Sequence, residues 1–391
     1  MFKPACSVES VKMHEKLPLS PDPLELQLHS GVAVLQTLTQ AVTQTGRGDR
    51  VALTTMSFEP NEPLVDGLLS ALHGAADRGA HIHLGIDAFT FLVDNTSGSI
   101  GPLLAPLPIG QEAFRRRQAA IESLQARGDN VTVNRLNDPT RLLKNPFAGR
   151  SHIKAAVVGD HCFVIGPNLH QTERADMGVS FEHRAIADRL HGTLAALVEH
   201  GDTAQTFGSR DHIWQLDPNT QLLIDSGVPG QSSIMQAALD MIEAANDEAV
   251  LISLQYAPRG KVAHSLAQAA LQRNVSLRAL YNHPATQGLV GGLAERLALA
   301  RARWRRLPAA VFAHQLPHPA RQNAVHNHAK ALATGSAALI GSNNFDPRGV
   351  DFGTAEMSLA RYNDPVFAER VGQFVCELLG ASQQQPYAAA A

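Results

Sequence analysis

His328-Ala329-Lys330-Ala331-Leu332-Ala333-Thr334-Gly335-Ser336-Ala337-Ala338-Leu339-Ile340-Gly341-Ser342-Asn343-Asn344 decides the fold, because its grammar occurs twice in the chain. The earlier copy runs His152-Ile153-Lys154-Ala155-Ala156-Val157-Val158, then Gly159-Asp160, then Cys162-Phe163-Val164-Ile165-Gly166-Pro167-Asn168. Each copy reads as an apolar strand, a two-residue turn and a returning strand. Side chains at i and i+2 share one face of a strand, so each His-x-Lys sets an imidazole beside an ammonium, a pair suited to a phosphate. The returning strands bring Asn168 back beside His152 and Asn344 beside His328. The repetition points to one active site assembled from two halves.

The duplication extends outward from these motifs. Leu28-His29-Ser30-Gly31-Val32 and Ile224-Asp225-Ser226-Gly227-Val228 each precede a helical pattern. Two apolar segments ending in proline, from Val51 to Pro60 and from Ala249 to Pro258, read as buried strands. Each is followed by an amphipathic helix, Leu64 to Arg78 or Val262 to Arg273, and a further strand, Ala80 to Asp87 or Val275 to Tyr281. Strand-helix-strand order implies a parallel pair covered by helices, so the fold class is α/β: two pseudo-symmetric α/β/α sandwich halves with mixed, mainly parallel sheets. The expected division is an N-terminal extension 1–24, a first half 25–200, a linker 201–230, a second half 231–382 and a disordered tail 383–391.

These motifs resemble the phospholipase D superfamily, whose members carry two His-x-Lys motifs, each followed by a Gly-Ser-x-Asn segment. The second copy, through Gly341-Ser342-Asn343-Asn344-Phe345-Asp346-Pro347-Arg348 to Thr354-Ala355-Glu356-Met357, looks like the cardiolipin synthase branch. The first copy departs from the pattern: Gly166-Pro167-Asn168 lacks the Ser and is one residue short. Gly159 and Gly335 stand where the family has an acid closing the first strand.

The resemblance implies covalent catalysis on a phosphodiester. His152 would attack phosphorus and His328 would protonate the departing alcohol, then activate water or an acceptor alcohol. Lys154, Lys330, Asn168 and Asn344 would hold the nonbridging oxygens, with Ser342 as a further donor. Each imidazole needs a carboxylate on its far nitrogen, and the family places it downstream of the Asn. Glu182 is the expected partner of His152, with Asp176 as its substitute, and Glu356 that of His328. No metal or other cofactor is called for, because two ammonium groups neutralise the phosphate; the pair His326-x-His328 has no evident third ligand.

Composition sets bounds on these readings. The 391 residues suffice for two domains or one large duplicated one, and 44% hydrophobic with 18% charged residues is globular composition. No run approaches the ~18 apolar residues of a membrane span. The stretch Met1 to Lys16 has no apolar run behind its basic residues, so no secretory signal is expected. Three widely spaced cysteines, Cys6, Cys162 and Cys376, argue against a disulfide framework and favour a cytoplasmic protein. A net charge of −3 does not favour nucleic acid as the partner. Arg115-Arg116-Arg117 and the arginines around Trp304 are read first as solvated helix faces. Their sharper reading is a rim attracting anionic lipid headgroups, with peripheral contact at the inner face of a membrane. The leading function is a phospholipid phosphodiesterase or phosphatidyltransferase, for which a monomer suffices. A nuclease-like phosphodiesterase and an inactive phospholipase D-like binding protein are the alternatives.

Overall fold

The structure, a computed structural model, describes residues 18–92, 108–138, 149–170, 174–246, 248–321 and 324–380. The extension before residue 18, the stretches 94–107 and 139–148 of the connection between Asp94 and Gly149, and the tail 383–391 lie outside the described residues.

The first half runs β1 (Gln27–Ser30), α1 (Gly31–Gln44), β2 (Arg50–Thr55), α2 (Pro63–Asp77), β3 (His81–Asp87), α3 (Phe89–Leu92), α4 (Pro108–Gln125), β4 (Val131–Leu136), β5 (Ala155–Val158), β6 (His161–Ile165), β7 (Met177–Glu182), α5 (Arg184–His200) and α6 (Thr203–Phe207). The second runs β8 (His212–Asp217), β9 (Thr220–Ser226), α7 (Ser233–Ala244), β10 (Ala249–Leu254), α8 (Gly260–Gln272), β11 (Ser276–Tyr281), α9 (Gly288–Trp304), β12 (Ala331–Ala333), β13 (Ala338–Gly341), α10 (Pro347–Asp351), β14 (Ala355–Arg361) and α11 (Pro365–Leu378). Equivalent local signals start equivalent helices: Ser30 Oγ accepts from Ala33 N at 3.2 Å to cap α1, and Ser232 Oγ accepts from Met235 N at 2.9 Å to cap α7.

Among the described residues the strands form two seven-stranded sheets, ordered β1-β7-β6-β5-β2-β3-β4 and β11-β10-β12-β13-β14-β9-β8. Matching β1 with β9, β2 with β10, β3 with β11 and β5-β6-β7 with β12-β13-β14 gives the same order in both, with β4 added at one edge and β8 at the opposite one. The sheets are mixed, but the expectation that they are mainly parallel is corrected. Only β2-β3, β3-β4 and β10-β11 pair in parallel, because each motif builds consecutive hairpins rather than crossovers. The stretch 201–230, expected as a linker, holds α6 and the hairpin β8-β9. Its Asp217-Pro218-Asn219 is the hairpin turn, and β9 pairs with β14 along its whole length.

The sheets stack with helices outside and between them. Val51 and Leu53 of β2 face an outer core under α1, α2 and α4, and Ala52 faces a central core. Leu332 faces a second outer core under α7 and α8, while Ala331 and Ala333 face the same central core. That central core packs α5 and α11 between the two sheets, through Ile186, Leu190, Phe367 and Val371. Period-2 alternation thus assigns successive residues to different layers and places the motif strands β5 and β12 inside their sheets.

Candidate active site

Two short parallel bridges join the halves at the entrance to the motif strands. His152 N donates to Ala355 O at 2.8 Å and Ala355 N donates to Arg150 O at 2.8 Å. In the other direction, His328 N donates to Ala175 O at 2.7 Å and Ala175 N donates to His326 O at 3.0 Å. Each bridge aligns a motif histidine with the residue just before an acid of the opposite half, Glu356 or Asp176.

The consequence is a crossed pairing. His152 Nδ1 lies 2.8 Å from both Oε1 and Oε2 of Glu356, and the Ser342 hydroxyl donates to Glu356 Oε2. Lys154 Nζ is 2.8 Å from His152 Nε2. His328 Nδ1 pairs with Asp176 Oδ2, and Lys330 Nζ sits 2.7 Å from that Nδ1 and against His328 O. The expected partners are therefore corrected: Glu356 serves His152 rather than His328, and Asp176 rather than Glu182 is the first-half acid. Glu182 is exposed and pairs with His161 at 3.3 Å. It stands six residues beyond Asp176 along an extended strand, roughly 20 Å at ~3.3 Å per residue, so both cannot serve one site.

Gly166 makes room for this acid. A Cβ there would lie 2.3 Å from Asp176 Oδ1 and 2.2 Å from Met177 O. The glycine at the turn has a different cause: Gly159 has φ +58°, in the left-handed region, so the missing strand-end acid is replaced by turn geometry.

Burial governs the electrostatics. His152, Lys154, Asp176, His328, Lys330 and Glu356 are all buried. Desolvation first, then the charges of Lys154 and Lys330, hold His152 well below its ordinary pKa. Desolvation, followed by Lys330, Lys154, Arg174 and His152, does the same to His328. Desolvation pushes Glu356 up to about 8 and Asp176 up to about 6, against the pull of both lysines. It also pulls Lys154 down to about 8 and Lys330 well below its usual value. Four opposed charges and two imidazoles are thus held in a low dielectric, where a bound phosphodiester anion would favour the charged form of both lysines.

A polar frame missed by the sequence reading fixes each histidine from behind. Asp87, at the end of β3, accepts from Ser151 N at 2.7 Å, Phe89 N at 2.8 Å and Asn137 Nδ2 at 3.0 Å. Asn282, just past β11, accepts from Asn327 N at 2.8 Å and donates to Asn327 O at 2.7 Å. Ser151 and Asn327 each immediately precede a motif histidine. A polar residue closing an apolar strand was the available signal. Arg174 also went unread, although it sits two residues before Asp176 and its charge acts on His170, His326 and His328. The structure brings Asn168 and Asn344 into the buried ends of the motifs; the Oδ1 of each, like His170 Nδ1 and His326 Nε2, has no partner among the described residues. No cluster of three metal-ligating side chains occurs among the described residues.

These two halves, each carrying one His-x-Lys and each completing the other's histidine with an acid, define a duplicated phospholipase D-type fold. Phosphatidylserine synthase from Haemophilus influenzae Rd KW20 shares it with a TM-score of 0.64 at 14% identity, over 92% of this chain and 86% of that one. Polyphosphate kinase from Porphyromonas gingivalis matches with a TM-score of 0.50 at 12% identity, over 91% of this chain and 50% of that one. A phospholipase D family member, Nuc from Salmonella typhimurium, matches 41% of this chain and 94% of its own at 14% identity, with a TM-score of 0.30. No family model and no curated protein sequence matches the chain.

Proposed function

We propose that this protein cleaves or transfers the phosphodiester of a phospholipid through a covalent phosphohistidine. The observation carrying this reading is the crossed pair of His-carboxylate contacts, which gives one buried site two oriented imidazoles and two ammonium groups. His152 Nδ1–H donates to Glu356, and its Nε2 lone pair, which faces Lys154 Nζ at 2.8 Å, is released for phosphorus when that ammonium turns to the phosphate oxygens. Attack forms the P–N bond and breaks the bond to the departing alcohol, which takes its proton from His328. Water or an acceptor alcohol then gives its proton to His328 and attacks phosphorus, breaking the P–N bond and restoring His152. Lys154 and Lys330 would offset the charge on the nonbridging oxygens. A phospholipid substrate is favoured over nucleic acid by the net charge of −3, and the shared fold of a phosphatidylserine synthase supports it.

The test is a mass-resolved assay of wild type, His152→Ala and His328→Ala on phosphatidylglycerol, phosphatidylcholine, bis(p-nitrophenyl) phosphate and single-stranded DNA. Headgroup release or exchange lost in both variants supports the proposal. Cleavage of DNA alone assigns a nuclease, and no turnover of any substrate assigns an inactive binding protein.

A further inference from the structure

The helix α9 carries an apolar stripe that the fold leaves uncovered. Leu293, Leu297 and Trp304 are 60%, 62% and 83% exposed. With the exposed Ala300 they fall at i, i+4, i+7 and i+11, an arc of about 60° at ~100° per residue. Arg296 and Arg303 flank the stripe on one side, Arg301 and Arg305 on the other, and all four are exposed. From Gly291 to Arg306 the single acid is Glu295, which is buried. Its Oε1 accepts from Ala257 N at 2.8 Å, and it pairs with Arg259. The opposite face of the helix is held by Glu295, Ala302 and Leu299, the last packed against the second outer core. The helix is therefore firmly seated, and its outward face is wholly cationic and apolar.

Its location relates the stripe to the site. Glu295 clamps α9 to the segment that follows β10, and Gln287 reaches Gln255 O at 3.4 Å. The same Gln255 carbonyl accepts from Asn282, which holds Asn327 beside His328. The helix thus lies at the end of the sheet where β10 ends and where His328 precedes β12.

We infer that α9 is a membrane-docking helix, with Leu293, Leu297 and Trp304 entering the interface of an anionic bilayer and the flanking arginines pairing with its headgroup phosphates. Leucines and a tryptophan between two rows of arginine suit this boundary, where apolar and anionic groups meet within a few ångströms. A nucleic acid would match the arginines but not the stripe, and a second copy of this chain would bring five further arginines, Arg296 through Arg306, against the first five. What the docking serves rests on the phospholipid reading; the docking itself does not.

Tryptophan emission reports it directly, because Trp214, the other tryptophan, is buried under Arg189. Adding phosphatidylglycerol vesicles to the full chain should shift Trp304 emission to the blue and carry the protein into the vesicle pellet. Phosphatidylcholine vesicles should do so at least tenfold more weakly. The exposed double variants Leu293→Glu/Leu297→Glu and Arg296→Glu/Arg301→Glu should each lose at least tenfold of that binding with unchanged melting temperature. Equal binding to both vesicle types, no emission shift, binding to DNA in preference to vesicles, or a dimer that already buries Trp304 without lipid would each overturn the inference. Vesicle binding with no turnover of any phosphodiester would sink the catalytic reading and leave the docking intact, whereas turnover of bis(p-nitrophenyl) phosphate without vesicle binding would do the reverse.

Discussion

Replacing Glu356 with Gln keeps the shape of the acid behind His152 while removing its charge and turning one of its two acceptor oxygens into an NH2 donor. In the native site both carboxylate oxygens lie 2.8 Å from His152 Nδ1. At an effective dielectric of about 20, a unit charge at that distance stabilises a developing imidazolium by roughly 6 kcal/mol gross. The amide oxygen still accepts the Nδ1 proton and keeps part of this, so above about pH 8, where Glu356 carries its charge, the expected loss is roughly 3–5 kcal/mol, or about 10²- to 10⁴-fold in kcat. Stability should move the other way. The folded-state pKa of Glu356, about 8, lies above the ordinary 4.5. Its contribution to stability is therefore fully present below about pH 4.5 and is lost as the pH rises through about 8, at ~1.4 kcal/mol per unit. Glu356→Gln should therefore melt with the wild type at pH 4.5 and above it at pH 8.5, by up to a few kcal/mol. The assay pairs calorimetric melts across that range with rates on bis(p-nitrophenyl) phosphate, with Glu182→Gln as the control. At pH 8.5, a Glu356→Gln variant within threefold of wild-type kcat, or a Glu182→Gln variant as impaired as Glu356→Gln, would refute the crossed pairing.

Gly166→Ala should destabilise the protein by about 1–3 kcal/mol and lower kcat at least tenfold, because its Cβ would press on Asp176 and so on the His328 contact; unchanged rates would contradict that close approach. Asp87→Ala removes the acceptor of the buried Ser151 N–H and of the Asn137 amide and should cost about 2–4 kcal/mol by urea titration, with kcat falling more than KM rises. A pure stability loss with normal kcat would show that Asp87 does not position His152. Asp217→Ala strips the buried Arg361 of its 2.8 Å partner far from the site. It should cost roughly 3 kcal/mol while the rate per folded molecule holds, and a falling rate would show a coupling the geometry does not contain.

The duplicated motifs were readable because strand periodicity and turn chemistry are local. His152 with Lys154 and His328 with Lys330 needed only a period of two, and the repeated strand-helix-strand order needed only apolar runs. The acids were not readable in the same way. Their pairing crosses between halves through the bridges at Ala355 and Ala175, and sequence order assigns each acid to the histidine of its own copy. Glu182 looked right by type and failed by distance along β7, while Gly166, which admits Asp176, sits in the segment Gly166-Pro167-Asn168 that the sequence marks only by its missing Ser and short spacing. The hairpin β8-β9 was hidden for a related reason: Asp217-Pro218-Asn219 signals a turn equally well within a sheet or between domains. The parallel bias came from extending one strand-helix-strand unit to strands that the motifs connect by hairpins.

The central claim is that His152 and His328 address one phosphorus atom. A crystal structure with orthovanadate, whose five-coordinate geometry copies the phosphoryl transition state, tests it most directly. One imidazole Nε2 should bond to vanadium, the other should hydrogen-bond to the opposite apical oxygen, and the ammonium groups of Lys154 and Lys330 should contact the equatorial oxygens. Vanadate bound away from both rings, or held by one histidine with the other turned into its own half, would contradict the account.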